Sequence, residues 1–227
     1  MKKFLNYFSR GEIILWLCEI ILIITFFCIF DRTDFLNLIA SLVGVTALIF
    51  CAKGNPIGQA LVILFSILYG IISYGFAYYG EMMTYVGMTL PMAVISLVSW
   101  VKNPNGEDRS EVKIRSLKKI DIIILIPTTI LVTVTFYFIL KALGTASLLT
   151  STISVATSFA AAFLAFKRSP YYALGYVFND IVLIVLWSFA AFESISYLSV
   201  IACFVAFLIN DVYTFVNWKK IQKRQKA

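Results

Sequence analysis

Two dipeptides carry most of the chemistry this sequence offers. Asn179-Asp180 lies inside the run Tyr176-Val-Phe-Asn-Asp-Ile-Val-Leu-Ile-Val-Leu-Trp187, and Asn210-Asp211 interrupts the next apolar run. A carboxylate at the centre of a membrane-spanning helix costs ~2.5–3.5 kcal/mol on insertion scales, so both should face protein or water. Flat Trp and Tyr faces sandwich a ring, while Asn and Asp exchange hydrogen bonds with hydroxyls. A cationic heteroaromatic ring would gain further from cation–π contact and a nearby carboxylate. The same residues could instead tie helices together, since interhelical hydrogen bonds hold bundles.

Other chemistries are poorly supplied. The chain has no histidine, which removes Ser/His and Cys/His pairs, His-ligated metals and His proton relays. Its four cysteines (Cys18, Cys28, Cys51, Cys203) are scattered without a C-x-x-C and read as packing residues. No catalytic set, metal site or cofactor motif is expected, so an enzyme is disfavoured.

Helical spacing sorts the candidates, because i, i+3/i+4 and i+7 share a face. In the seventh apolar segment Tyr176, Asp180, Leu183 and Trp187 form a stripe with Asn179 beside it. In the eighth, Asn210, Tyr213, Thr214 and Asn217 do so, with Asp211 and Trp218 adjacent. The third offers Gln59, Ser66, Tyr69 and Ser73, and the fourth Tyr85, Thr89, Met92, Ser96 and Ser99. The expected ligand set is Trp187, Asn179, Asp180, Asn210, Asp211, Tyr213, Gln59, Tyr69 and Tyr85. Trp187 and Asn179 lead it, whereas Asp180 is equally placed to join helices 7 and 8. Small-residue stripes in the second segment (Asn37, Ser41, Gly44) and the sixth (Ser154, Ser158, Ala161) suit helix–helix contact. Trp100 and Trp218 read as interfacial anchors, and Glu19 as a structural partner within the bundle.

The elements that must position these residues are membrane helices. The chain is 61% hydrophobic and 14% charged, against about 25% charged in a soluble domain. Eight apolar segments are expected, at 12–30, 34–52, 57–79, 82–101, 121–142, 145–166, 171–191 and 194–217. That is an all-α integral membrane protein with no room for a soluble domain. The apolar run after the basic start lacks a small-residue cleavage site and reads as a retained helix. With both ends cytoplasmic, seventeen of the nineteen Lys and Arg fall inside, as the positive-inside rule requires. The net charge of +7 therefore reports topology rather than nucleic-acid binding. The charged loop from Lys102 to Lys119 reads as a solvated connector, with room for a short interfacial helix.

The loops disclose a repeat. Ala52-Lys53-Gly54-Asn55-Pro56 precedes segment 3 as Phe166-Lys167-Arg168-Ser169-Pro170 precedes segment 7. Ser99-Trp100-Val101-Lys102 closes segment 4 as Asn217-Trp218-Lys219-Lys220 closes segment 8. Two three-helix units, 34–102 and 145–218, are expected to be parallel copies joined by a loop and linker helix (103–144). An N-terminal stretch with an extra helix (1–33) and a basic cytoplasmic tail (219–227) complete the chain. Such repeats belong to small transporters, with substrate near the midplane between the halves. Pro56, Pro91 and Pro170 are candidate flexing points.

Leu90-Pro91-Met92 with Ser99 to Asn103, Phe178-Asn179-Asp180 through Trp187, and Ile209-Asn210-Asp211-Val-Tyr213 through Lys219 together resemble the PnuC family of vitamin transporters. The resemblance spans roughly 34–220. It implies a SWEET-like 3+1+3 arrangement, a homotrimer in the bacterial inner membrane, and facilitated diffusion of nicotinamide riboside trapped by a cytoplasmic kinase. Sister groups take thiamine or riboflavin. Family members of the riboside type carry paired tryptophans three apart, whereas Trp187 here has Ile184 and Ala190 at that spacing. Another vitamin, a sugar, or a binding subunit with an energising partner are the alternatives.

Overall fold

A computed structural model describes residues 7–75, 79–106, 108–145 and 147–226. Its eight membrane-length helices are α1 (Arg10–Phe26, extended by a π turn at Phe27–Asp31), α2 (Phe35–Ala52), α3 (Pro56–Gly75), α4 (spanning Tyr79–Val101), α5 (Lys119–Ala142), α6 (Leu148–Phe166), α7 (Tyr171–Ala191) and α8 (Leu198–Arg224). Each coincides with one expected apolar segment to within a few residues, except that α8 runs on through the basic stretch to Arg224.

Local sequence explains the boundaries. Ser9 and Glu12 form a reciprocal capping box at the start of α1, satisfying amides that the first turn leaves unpaired. The α2–α3 turn uses Gly54 at φ +68°, and the corresponding α6–α7 turn places Arg168 at φ +57°. Within α4, Tyr85–Thr89 is a π turn. Pro91 follows it and has no N–H to give the carbonyl one turn back, which loosens the helix there. Thr89 Oγ1 donates to the Thr84 carbonyl at 3.2 Å and absorbs part of the defect.

Packing runs α2–α3–α4–α6–α7–α8 and back to α2, a closed ring of six helices. The linker helix α5 packs outside against α6, and α1 outside against α2 and α8. The exposed faces of α5, with Ile123, Leu131 and Phe138, suit a bilayer rather than water. Burying Glu19 and Glu12 in α1 requires partners, and both find them. Asn210 Nδ2 donates to Glu19 at 3.0 Å, and Tyr213 Oη donates to Glu12 at 2.9 Å while Lys53 pairs with it at 3.3 Å.

The charged loop folds differently from the interfacial helix allowed by the sequence. Pro104–Asn105 pairs antiparallel with Asp108–Val112 around Gly106 at φ +65°. The loop has no apolar stripe of helical period, and it is anchored by Val112, which is fully buried, and Ile114. The Val112 amide donates to Gly54 at 2.9 Å, and Gln225 at the end of α8 donates to the Val112 carbonyl at 3.0 Å. The hairpin thus ties the α2–α3 turn to the tail of α8.

Candidate functional site

A cavity opens inside the ring, lined by residues of all six of its helices, α2, α3, α4, α6, α7 and α8. Asp180 from α7 and Asp211 from α8 face each other in it, their carboxyls within hydrogen-bonding reach. Both side chains are 3% exposed. Asp180 Oδ2 and Asp211 Oδ1 have no further partner among the described residues. Among the described residues, no Lys or Arg lines the cavity. An acidic pair held in a low-dielectric interior without a basic partner leaves its charge to be answered by a proton or an incoming cation.

Around the pair stand polar and aromatic groups. Asn179 Oδ1 accepts from Thr157 Oγ1 at 2.9 Å and Ser154 Oγ at 3.2 Å. Two hydroxyls of α6 thereby fix the amide, and its nitrogen is the half left for a ligand. Gln59 Nε2 donates to Cys51 Sγ at 3.6 Å, which leaves its carbonyl oxygen for the cavity. Tyr85, carried inward on the π turn, and Tyr176 supply aromatic walls.

Of the nine expected residues, Gln59, Tyr85, Asn179, Asp180 and Asp211 line this cavity. Trp187 and Tyr69 sit beyond it in an aromatic layer. The Tyr69 and Tyr85 rings lie 4.4 Å apart, Trp187 packs on Tyr197 at 5.4 Å, and Tyr69, Trp187 and Tyr197 line one pocket together. On its far side this layer faces a vestibule of about 260 Å³ lined by Glu81, Thr145 and Glu193. Asn210 and Tyr213 turn the other way and hold α1. Tyr172, Phe65 and Phe207 line the cavity without having been singled out. Tyr172 was legible, since it continues the Tyr176–Asp180 stripe one turn earlier.

The opposite end is closed by Trp100, Trp218 and Tyr172. The two tryptophans are completely buried rather than interfacial. The reason is that helix C-termini leave carbonyls without intrahelical partners. Trp100 Nε1 donates to Ala165 O at 2.9 Å and Ser99 Oγ to Phe166 O at 2.8 Å, at the end of α6. Trp218 Nε1 donates to Cys51 O and Asn217 Nδ2 to Ala52 O, both at 2.8 Å, at the end of α2. Tyr172 Oη also donates to Cys51 O, at 3.2 Å.

Comparison with known proteins agrees with this architecture. Residues 34–220 match the family model described as nicotinamide mononucleotide transporter. A nicotinamide riboside transporter PnuC of Neisseria mucosa is 30% identical over 204 residues, covering 88% of this chain and 77% of its own. Its Haemophilus influenzae counterpart is 24% identical over 98% of this chain and 96% of its own. A solved structure described as the vitamin B3 transporter PnuC superposes with a TM-score of 0.82 at 24% identity, over 96% of this chain and 94% of that one, and shows the same fold. With its eight apolar helices and a match that leaves out only α1 and the extreme tail, this integral membrane chain belongs to the nicotinamide mononucleotide transporter family, that of the PnuC transporters.

Proposed function

We propose that this protein carries nicotinamide riboside across a bacterial cytoplasmic membrane. The observation that supports it is the cavity, where paired Asp180 and Asp211 meet tyrosine faces and, among the described residues, no basic side chain. Nicotinamide riboside joins a cationic pyridinium ring to a neutral ribose and carboxamide. The carboxylates match the charge, Tyr85 and Tyr176 the ring, and Asn179 and Gln59 the hydroxyls and amide. The names of the relatives point the same way.

Movement through the site is read as alternating access. The Tyr69–Tyr85–Trp187 layer would close the cavity on one side and the Trp100–Trp218–Tyr172 cluster on the other. The repeat reading, 34–102 against 145–218, is supported by reciprocal packing. The last helix of each unit touches the first of the other, α4 on α6 and α8 on α2, and each brings a tryptophan to the same carbonyl position. Both ends are assigned to the cytoplasm by the distribution of Lys and Arg. Transport is assigned as facilitated diffusion made one-way by cytoplasmic phosphorylation, in a homotrimer.

Purified protein in liposomes tests this. Labelled nicotinamide riboside should equilibrate without any added energy source, while thiamine, riboflavin and a hexose should not compete. Binding without flux would instead indicate a subunit that needs an energising partner. Tight competition by another vitamin would overturn the substrate and leave the fold intact.

A further inference from the structure

Between α4 and α6, on the outside of the ring, lies a groove of about 440 Å³ with an apolar floor and a basic rim. The floor includes Val94, Ile95 and Val98, which are 41–46% exposed on a membrane-spanning helix and so belong to the lipid-facing surface. The rim is Lys102, Arg115, Lys167 and Arg168. It lies at the same end of the bundle as the hairpin.

The charges on this rim do not balance. Arg115 and Lys167 share one carboxylate, Asp121, at 2.9 and 3.4 Å. Lys102 has no acidic partner among the described residues. Arg168 reaches only Ser99, at 3.4 Å to Oγ and 3.5 Å to the carbonyl, and its Nε has no partner among the described residues. Among the described residues, four cations thus face one anion.

The rim is also built rather than loose. Arg168 sits at φ +57° in the α6–α7 turn, and the Arg115 amide donates to its carbonyl at 3.0 Å. Two guanidinium residues are thereby fixed side by side. Burial and the charge of Arg115 push Arg168 below its ordinary pKa, the response of a cation kept near another cation without a counter-ion. An anion with several acceptor oxygens would relieve that repulsion.

We propose that this groove holds the headgroup of an anionic phospholipid, its phosphate on Lys102, Lys167 and Arg168 and an acyl chain along Val94, Ile95 and Val98. A free phosphate would satisfy the rim and leave the floor unused. The continuity of a cationic pocket with lipid-facing apolar surface selects the lipid. The site is separate from the transport cavity, but it lies on the α4–α6 joint that Ser99 and Trp100 cap. A bound lipid would fasten that joint.

The test uses the full chain in a neutral detergent. Thermal unfolding and native mass spectrometry are compared with added phosphatidylglycerol, phosphatidylcholine or inorganic phosphate. Phosphatidylglycerol alone should raise the melting temperature by several degrees and remain bound. The Lys102→Gln/Arg168→Gln variant should lose that shift. Lys102→Gln alone, at an exposed side chain outside the fold's hydrogen bonds, should retain several-fold less of the lipid. Equal stabilisation by phosphatidylcholine, or undiminished retention by Lys102→Gln, would overturn the site. A full shift from inorganic phosphate alone would overturn the lipid and leave a free-anion site.

Discussion

The Trp100 and Trp218 rings meet with their centroids 5.2 Å apart at 48°, each indole N–H bonded to the end of a helix in the opposite half. Replacing either by Phe keeps a ring but removes one buried hydrogen bond, leaving Ala165 O with the Arg168 amide and Cys51 O with the Gly54 amide. Loss of stability should be about 1–3 kcal/mol for each. Because the rings touch, the double variant should depart from the sum of the singles. Thermal or denaturant unfolding of the purified variants measures both. Trp218→Phe should lose less, since Tyr172 still donates to Cys51 O.

Charge recognition is expected to reside in Asp180 and Asp211. Asp180→Asn preserves shape and hydrogen bonding while removing a charge from the pair. Affinity for nicotinamide riboside should fall about tenfold or more, ~1.4 kcal/mol. Affinity for the reduced riboside, whose ring is neutral, should change far less. Calorimetric titration of both ligands reads the difference, and equal losses would count against a charge role.

Cys51 lines the cavity and should report its occupancy. With Cys18, Cys28 and Cys203 replaced by Ser, a small thiol reagent should label Cys51 slowly. Saturating riboside should slow it further. Labelling unaffected by substrate would place the ligand elsewhere.

Trp187 separates the cavity from the vestibule lined by Glu81 and Glu193 and lies about 10 Å along α7 from Asp180, at 1.5 Å per residue. Trp187→Ala should therefore speed the reaction of a cysteine introduced at Leu183 with an impermeant reagent. Binding affinity should fall less than in Asn179→Ala. A larger affinity loss at Trp187 would return it to the ligand's first contacts.

Much of this was legible beforehand. Continuous apolar runs set all eight helices, because a bilayer leaves the backbone few other ways to pair its hydrogen bonds. The stripe from Tyr176 to Leu183 located one wall of the cavity. What escaped depended on direction rather than on residue type. Asn210 and Asp211 are adjacent, yet a helix turns by about 100° between them, so one faces α1 and the other the cavity. Recurring Trp residues near basic loops look interfacial by composition. Only the fold shows that the helix ends within reach need their N–H groups. The π turn at Tyr85–Thr89 had a faint signal in Pro91, and the hairpin had one in Asn103-Pro104-Asn105-Gly106, which reads as a helix stop followed by a turn.

Asn210 is fully buried because α1 lies over it, and Glu19 is what it binds. A relative with no such helix would present this amide to lipid, where an unpaired polar group is costly. The two features are therefore a matched pair. Grafting α1 onto a shorter family member should require Asn at the position of Asn210, and deleting α1 here should be rescued by Asn210→Leu.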